Sequence, residues 1–425
     1  MCRVNNRSGS IAIAFAVLGL SATQASSADL LETPAAAPGY NWTGLYLGVG
    51  GGAGASVYQI QVPPLAGLDF NGVGAEGVFG ELTVGYDYML TQRMLVGVYA
   101  DYRFGNIATT LDIGAPLGFN ADVTLDHGYD ILARLGYLVT PSTLAYVLGG
   151  YSHQHFDLST NIGFGLDWDS DGYVVGAGME TVLAGNWSLK GEYRYTEYSG
   201  EDFGLTGLLD VTASNHTFHA GLNYKLGGGS STSAGYAPVA YDYTGLKIGL
   251  AAGAGAVVRE IGIPPLAGVV FNGIGGEGLF AEISVGYDWQ MANNWVVGVA
   301  ADYRFSGIST DLSVGGLSAS INDDHGYDLI ARLGYKTDEA TLVYGLAGYA
   351  KQHFELDTNV GFGLDWNLHG WIAGAGIETA LNDRWTAKIE YRYTEFEDFD
   401  FNTGGILVAQ PSSHTVRAGI TYKLF

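Results

Sequence analysis

The chain has 425 residues, a formal net charge of −24 at pH 7, 65 Gly, 28 Tyr and only 10 Pro. The negative charge disfavours a nucleic-acid partner, because phosphate binding requires a basic face. The single cysteine is Cys2, inside a segment that we expect to be removed. Disulfides and cysteine-ligated metals are therefore excluded for the mature chain.

The N-terminus has the pattern of a secretory signal peptide. Arg3 and Arg7 precede an apolar stretch at 11–20 that is too short to span a bilayer, and small residues occupy 26–28. We predict cleavage after Ala28, which leaves 29–40 as an N-terminal periplasmic segment. A retained membrane anchor is the alternative. Beyond residue 28 no run of about 18 apolar residues predicts a transmembrane helix.

The rest of the chain is an internal duplication. The sequence Val-Gly-Tyr-Asp at Val84 recurs at Val285, 201 residues later, and His-Gly-Tyr-Asp at His127 recurs at His325, 198 residues later. A three-residue deletion therefore falls between Phe104 and His127, where we place a loop. The predicted units are 41–226 and 242–425, joined by a Gly/Ser-rich periplasmic linker at 227–241.

Each unit alternates strand-like runs with turns. In the first unit we predict strands near 43–56, 74–90, 93–108, 126–139, 142–159, 163–184, 186–199 and 213–226. Short connections alternate with long ones near 57–73, 109–125 and 200–212, as in bacterial outer-membrane barrels with short periplasmic turns. We predict an all-β fold of transmembrane antiparallel up-and-down barrels, as two tandem eight-stranded units. One 16-stranded barrel is the alternative.

Two segments are expected to extend beyond the membrane. Residues 153–159 and 162–167 are predicted to continue a hairpin outside it, the alternative being a separately folded loop. The first long connection carries an apolar Pro-Pro-Leu-Ala-Gly run from Pro63, repeated from Pro264. We expect it to fold over its own barrel mouth; contact with a partner or with its twin are the other options.

Several features together resemble the small OmpA-like, opacity-type outer-membrane barrels (porin family) of alphaproteobacteria. They are the Trp42 to Gly48 opening, the Gly-rich strands and the ending Arg-Ala-Gly-Ile-Thr-Tyr-Lys-Leu-Phe. The ending resembles a terminal strand signal for the outer-membrane assembly machinery, carried by Gly419, Tyr422, Leu424 and Phe425. The same pattern from His219 to Leu226 suggests two complete barrels placed end to end in the outer membrane of a Gram-negative cell.

Strand alternation predicts a network of charges of both signs inside each unit. An eight-stranded barrel has an interior just wide enough for side chains to fill, so these charges should pair and plug the lumen. In one 16-stranded barrel they would instead line a pore. The predicted network comprises Glu81, Asp101, Arg103, Asp130, Arg134, Glu180, Lys190, Glu192, Arg194, Glu282, Asp302, Arg304, Asp328, Arg332, Glu378, Lys388, Glu390 and Arg392.

Other candidate sites carry less weight. His127, His155 and His216, repeated at 325, 353 and 414, could bind a metal. We place His127 and His155 at opposed ends of adjacent strands and His216 on another strand, and we expect interfacial or hydrogen-bonding roles instead. Ser214 lies near His216 and Ser413 near His414, yet we expect neither pair to meet a common carboxylate, as a Ser/His/acid site requires. Outer acidic clusters, as at Asp167, predict a solvated face near lipopolysaccharide. We predict no metal, cofactor or enzymatic activity.

Two function classes follow from the sequence. The first is a structural or surface-interaction protein of the outer membrane with plugged lumens. The second is a general diffusion porin that passes small hydrophilic solutes through one wide barrel. The expected partners are outer-membrane lipid, lipopolysaccharide and the assembly machinery, together with extracellular partners bound through the loops.

Overall fold

The computed structural model describes residues 40–114, 118–202, 207–227, 239–263, 269–400 and 408–425. The predicted signal peptide (1–28), most of the segment 29–40 and most of the linker 227–241 lie outside these residues. Within them, no helix is long and apolar enough to span a bilayer.

The described residues of each unit form long antiparallel strands. The first unit contains β1 (Gly44–Val62), β2 (Leu68–Met89), β3 (Met94–Ile113), β4 (Phe119–Thr140), β5 (Thr143–Thr160), β6 (Gly165–Ala184), β7 (Trp187–Tyr198) and β8 (Asp210–Lys225). The second contains β9 (Gly245–Ile263), β10 (Val269–Gln290), β11 (Trp295–Val314), β12 (Leu317–Lys336), β13 (Thr341–Thr358), β14 (Gly363–Ala380), β15 (Trp385–Phe396), the two-residue β16 (Phe399–Asp400) and β17 (Val408–Lys423).

Each unit closes on itself as an eight-stranded barrel. β1 pairs with β2 on one side and with β8 on the other, from Tyr46↔Lys225 to Gln61↔Asp210. β9 likewise pairs with β10 and with β17, from Lys247↔Lys423 to Gly262↔Val408. A single ring of sixteen would need β1 to pair with β17 and β8 with β9, whereas the described strands form two rings, as the predicted fold class has it.

The strands on the outer side are longer than the sequence predicted. Residues 57–73 were predicted as a loop, but β1 continues to Val62 and β2 begins at Leu68. The hairpins remain paired in their outer parts because pairing gives the backbone polar groups hydrogen-bond partners, apart from local bulges such as the one between Tyr58 and Gln59. The three-residue deletion lies in a loop, as predicted: residues 114–118 join β3 to β4, and only Gly315 and Gly316 join β11 to β12.

Outward side chains form an apolar band between two rings of aromatic residues. On β4 the band runs from Tyr129 to Tyr137, nine residues, the length that a tilted strand needs to cross a bilayer. Neighbouring strands carry Tyr102, Tyr151 and Tyr173 at the outer ring. β5 and β6 continue past this ring as one paired hairpin, from Ser152↔Gly172 to Ser159↔Gly165, which confirms the predicted extension.

The two barrels contact each other through equivalent positions. Val73 on β2 pairs with Ile274 on β10, its own counterpart in the second copy. Leu111 pairs with Phe271, and the exchanged pair Phe70 with Leu312 is also present. Such reciprocity defines a pseudo-twofold axis, which makes the contact isologous.

Apolar side chains that would otherwise face lipid are buried in this contact. Ala55 and Val57 pack against their counterparts Ala256 and Val258. Lower down, the ring of Phe218 stacks on Tyr391 with centroids 4.9 Å apart. At the opposite end, the Thr143 and Thr341 hydroxyls hydrogen-bond at 2.8 Å. The contact therefore extends over the full height of the band.

The apolar loop of the first unit contacts the second barrel. The carbonyl oxygen of Ala66 accepts a hydrogen bond of 2.8 Å from the Gly315 amide. The expectation that this loop covers its own barrel mouth was wrong for this copy, because the shortened β11–β12 turn offers a free amide next to it. The twin loop at 264–268 lies outside the described residues.

Candidate functional site

The lumen of the first barrel is organised around Arg194. This arginine lies on β7 and is completely buried. Its guanidinium contacts Asp130 at 2.7 Å and also contacts Asp101 and Glu192. Asp101 and Asp130 lie directly opposite each other on β3 and β4, where two like charges are destabilising. The arginine between them therefore offsets the repulsion between the two facing carboxylates.

A second cluster lies nearer the periplasmic end. Arg134 contacts Asp87 at 2.7 Å and Glu180 at 2.8 Å. Its guanidinium also faces the rings of Tyr46 and Tyr146, each 5.1 Å from the ring centroid, a cation–π arrangement. Both clusters are out of contact with bulk water, so each charge depends on its partners for stabilisation.

The predicted charges are all placed in the two lumens. In the first barrel Arg103 contacts Asp130 at 3.0 Å, and Lys190 contacts Glu81 at 2.9 Å. All nine predicted residues of this barrel are buried. In the second barrel seven are buried, whereas the side chains of Arg332 and Lys388 are 13% and 10% exposed.

The second barrel repeats the central cluster. Arg392 contacts Asp328 at 2.7 Å, Asp302 at 2.6 Å and Glu390 at 2.6 Å. Asp302 and Asp328 again lie opposite each other, on β11 and β12. In both copies, therefore, an arginine lies against two facing aspartates and offsets their repulsion.

Both networks also contain buried charges that were not among the predicted residues. In the first barrel, Asp87 and Lys225 pair at 2.9 Å, and His219 contacts Glu81 at 2.7 Å. Asp87 shares the parity of Glu81 on β2, so extending the alternation would have identified it. In the second barrel the additions are Asp288 and Arg417, at the positions of Asp87 and His219, together with Lys247, Arg259 and Asp323.

Substitutions between the copies are compensated in space. Tyr58 and Leu125 of the first barrel correspond to Arg259 and Asp323, which form a buried ion pair at 2.5 Å. His219 corresponds to Arg417, whose guanidinium lies 2.5 Å from Glu282. The added positive charges are thus each placed against a carboxylate, as burial requires.

Apolar clusters close the first lumen on both sides of its charges. Towards the outside lie Tyr58, Phe79, Ile107, Leu125, Phe156 and Tyr198. Towards the periplasm lie Trp42, Tyr46, Tyr99, Leu132, Leu144, Tyr146 and others. A groove of about 690 Å³ occurs on the outer face of the second barrel, among Val285, Val299 and Leu329. It belongs to the apolar band rather than to the lumen.

Three lumen carboxylates could in principle hold a metal ion. Ligand atoms of Glu282, Asp302 and Asp328 lie within 4.8 Å of one another, the one such group among the described residues. Arg392 already contacts Asp302 and Asp328 and lies 3.8 Å from Glu282, while Arg417 contacts Glu282. Two guanidinium groups therefore occupy the place of a cation, and the residues do not fit a metal.

The histidines are not arranged as the sequence predicted. His127 and His155 are not at opposed ends of their strands: they face each other in register, with ring centroids 4.7 Å apart. Asp126 contacts His127 and Asp169 contacts His155, each at 2.8 Å. His216 lies in the contact between the barrels, so the three histidines do not form one site.

Ser214 and His216 do meet a common carboxylate, contrary to expectation. Glu277 of the second barrel accepts hydrogen bonds from Ser214 Oγ at 2.6 Å and His216 Nε2 at 2.9 Å. In the equivalent contact Glu76 binds Ser412 (not Ser413) and His414. The carboxylate lies between the serine and the histidine, so among the described residues Ser214 Oγ makes no hydrogen bond to the His216 imidazole that could activate it as a nucleophile. The other ring nitrogen of His216, Nδ1, lies 2.8 Å from the Tyr193 hydroxyl.

The predicted assembly signal lies at the end of the chain. Gly419 and Tyr422 belong to β17, opposite Lys388 and Trp385. Leu424 and Phe425 follow the strand and are 40% and 78% exposed. An exposed terminal pair is accessible to another protein; its use as a signal stays a prediction.

The closed rings, the apolar band with aromatic borders and the polar interiors define a transmembrane β-barrel of the outer-membrane type. The chain belongs to the family described as the outer membrane protein beta-barrel domain, which matches residues 12–225 and again 227–423. It is thus an outer-membrane protein of a Gram-negative bacterium with two tandem copies of this domain.

Two relatives named as outer-membrane proteins agree with this assignment. The 31 kDa outer-membrane immunogenic protein of Brucella melitensis is 28% identical over 239 residues, 49% of this chain and 96% of that protein. The 22 kDa outer membrane protein of Rhizobium leguminosarum is 30% identical over 150 residues, 34% of this chain and 66% of that protein. The crystal structure of Ail from Yersinia pestis, at 14% identity, matches 43% of this chain and 99% of its own with a TM-score of 0.25.

Proposed function

We propose that this chain is a non-conducting, non-enzymatic outer-membrane protein whose two filled barrels anchor a surface-exposed structure. The observation that supports this function best is the burial of the central arginines, Arg194 and Arg392, each among three or more carboxylates. A diffusing solute would have to displace a guanidinium that contacts several carboxylates. Those carboxylates would then stay buried without a positive charge beside them, which is energetically costly.

In this proposal, the surfaces that contact other molecules lie outside the lumens. Lipid contacts the apolar band, and lipopolysaccharide surrounds the hairpins above the outer aromatic ring. The assembly machinery would engage the C-terminal strand, and extracellular partners would bind the outer hairpins. Catalysis has no support in the Ser214–Glu277–His216 contact, because Glu277 separates the hydroxyl from the imidazole.

Single-channel recording tests the proposal. Full-length protein that shows the heat-modifiable migration of a folded barrel is inserted into planar lipid bilayers. We expect no steady conductance. Large, stable openings would overturn the proposal and favour the alternative, a general diffusion porin in which the strands merge into one wide ring.

A further inference from the structure

The outermost turns of the two barrels carry large apolar side chains in solvent. In the β5–β6 turn Ile162 is 72% exposed and Phe164 57% exposed. In the β13–β14 turn the equivalent Val360 and Phe362 are 68% and 58% exposed. We call these two pairs the apolar tips. One exposed apolar residue is ordinary, but the same pair at the same turn in both copies is a feature that needs a cause.

The apolar tips are held rigidly. The Thr160 hydroxyl donates to the Phe164 carbonyl at 2.7 Å, and the Phe164 amide donates to the same hydroxyl at 3.1 Å. Gly163 allows the tight turn with a φ of 82°. The Asn161 side chain binds Gly118 and Asn120 of the neighbouring loop. Because the turn is already ordered, little conformational freedom remains to be lost on binding.

The second copy repeats these contacts. Thr358 and Phe362 exchange the equivalent hydrogen bonds at 2.6 and 3.0 Å. Gly361 has a φ of 83°, and the Asn359 side chain binds Gly316 at 2.7 Å. Each barrel therefore presents an apolar tip on a turn that is ordered by the same hydrogen bonds.

The tips lie beyond the reach of the protein's own membrane. β5 continues nine residues from Tyr151 at the outer aromatic ring to Thr160, about 30 Å of strand. Acyl chains of the same bilayer therefore do not cover Ile162 or Phe164. Their environment is the cell exterior.

Facing carboxylates lie directly beneath each tip. Asp157 is opposite Asp167 in the first hairpin, and Glu355 is opposite Asp365 in the second. Among the described residues no salt bridge joins any of these four to a base. Like charges at facing positions are destabilising, so this arrangement would be relieved by a cation supplied from outside.

We propose that the two apolar tips and the carboxylate pairs beneath them form one bivalent docking surface for a cationic amphipathic protein. Such a partner would bury the tips in apolar pockets and place basic side chains against Asp157, Asp167 and their counterparts. This inference rests on the proposed function, which assigns recognition to the outer hairpins. An anionic bilayer and a second copy of this chain are disfavoured occupants, because both would face the carboxylates with negative charge.

The test uses full-length protein in phosphatidylcholine nanodiscs and an amphipathic peptide of leucine and lysine. Empty nanodiscs give the background, and a lysine peptide without leucine reports attraction by net charge alone. We expect the combined substitution Phe164→Ser and Phe362→Ser to weaken binding about tenfold or more at unchanged charge. Either substitution alone should have an intermediate effect, since two linked sites bind with avidity.

Two matched variants sharpen this measurement. Leu65→Ser removes another exposed outer side chain, which is 58% exposed, and should leave binding unchanged. Replacing the four facing carboxylates with amides should weaken binding and reduce its salt dependence.

Three results would overturn the inference. The peptides with and without leucine could bind equally, with no effect of the tip substitutions. The tips could instead drive association of nanodiscs with one another, which makes a second copy the occupant. They could also drive binding to phosphatidylcholine vesicles. Channel recordings on the same variants keep the two proposals apart, because conductance would contradict the proposed function whether or not the peptide binds.

Discussion

Gly74 and Gly275 meet on the pseudo-twofold axis between the barrels. A Cβ atom on Gly74 would lie 2.8 Å from the Gly275 Cα, and a Cβ on Gly275 would lie 2.7 Å from the Gly74 Cα. Only two residues without side chains fit this approach. The position where the two copies are closest therefore depends on the same residue type in each.

The glycine contact predicts how the barrels can be separated. Gly275→Ala should force the backbones apart at a cost of about 1–3 kcal/mol. The readout is an intramolecular disulfide between Thr143→Cys and Thr341→Cys, whose hydroxyls are 2.8 Å apart, in a chain with Cys2→Ser. We expect a lower yield of this cross-link on a non-reducing gel. Gly149→Ala, where a Cβ would meet nothing nearer than 3.4 Å, should leave the yield unchanged.

Removing the central arginine should strongly destabilise the first barrel. Arg194→Gln leaves Asp101, Asp130 and Glu192 without their shared cation, a loss of roughly 3–5 kcal/mol. The measurement is urea unfolding of the refolded protein, followed by heat-modifiable migration. Arg384→Gln changes an exposed arginine bonded to Tyr422 and should have an effect below about 1 kcal/mol. Equal stabilities of the two variants would contradict the assigned role.

The buried pair Arg259–Asp323 predicts a coupled double-mutant cycle. Arg259→Tyr or Asp323→Leu alone leaves one buried charge unpaired and should destabilise by about 3–5 kcal/mol. Together they restore the Tyr58 and Leu125 combination of the first barrel, so the double variant should be close to wild type. Additive losses in urea unfolding would show that the two positions act independently.

In the outer hairpin of the first barrel, we expect His155 to have a pKa above that of an ordinary histidine. The hydrogen bond that the His155 imidazole donates to the Asp169 carboxylate raises the pKa of His155, and the negative charge of Asp126 adds to this effect. A raised folded-state pKa means that this contact stabilises the protein below the ordinary histidine pKa of about 6.5 and is lost as the pH rises through the folded value.

Histidine NMR titration of full-length protein checks this expectation. Asp169→Asn should lower the pKa of His155 towards its ordinary value. An unchanged His155 titration in Asp169→Asn would refute the assigned cause.

Alternation along the strands was enough to find the main lumen charges. A two-residue period identifies an inward face, and a narrow barrel leaves no other place for Glu192 or Arg194. Lys225 and Lys247 were missed for a physical reason. Lys225 contacts Asp87 and Lys247 contacts the equivalent Asp288 of the second barrel. The two lysines come from non-equivalent strands, β8 and β9, so comparing the copies does not reveal their shared role.

The contact between the barrels could not be read from the sequence. Tyr193 and Phe218 have the outward parity of lipid-facing residues, and lipid and a second barrel present the same apolar surface to them. The carboxylate that meets Ser214 and His216 lies 61 residues from that histidine, on another ring. Pairing of the outer hairpins was underestimated because their Gly-rich ends show no strict alternation.

Glu76 with His414 and Glu277 with His216 are one contact made twice. Each barrel consequently carries both complementary halves of the surface. A one-barrel ancestor with this surface could associate with its own copies, but the associated fraction would depend on its abundance in the membrane. Covalent joining removes that dependence on abundance. It also lets the two halves diverge, so that one can change its outer hairpin while the other keeps the original.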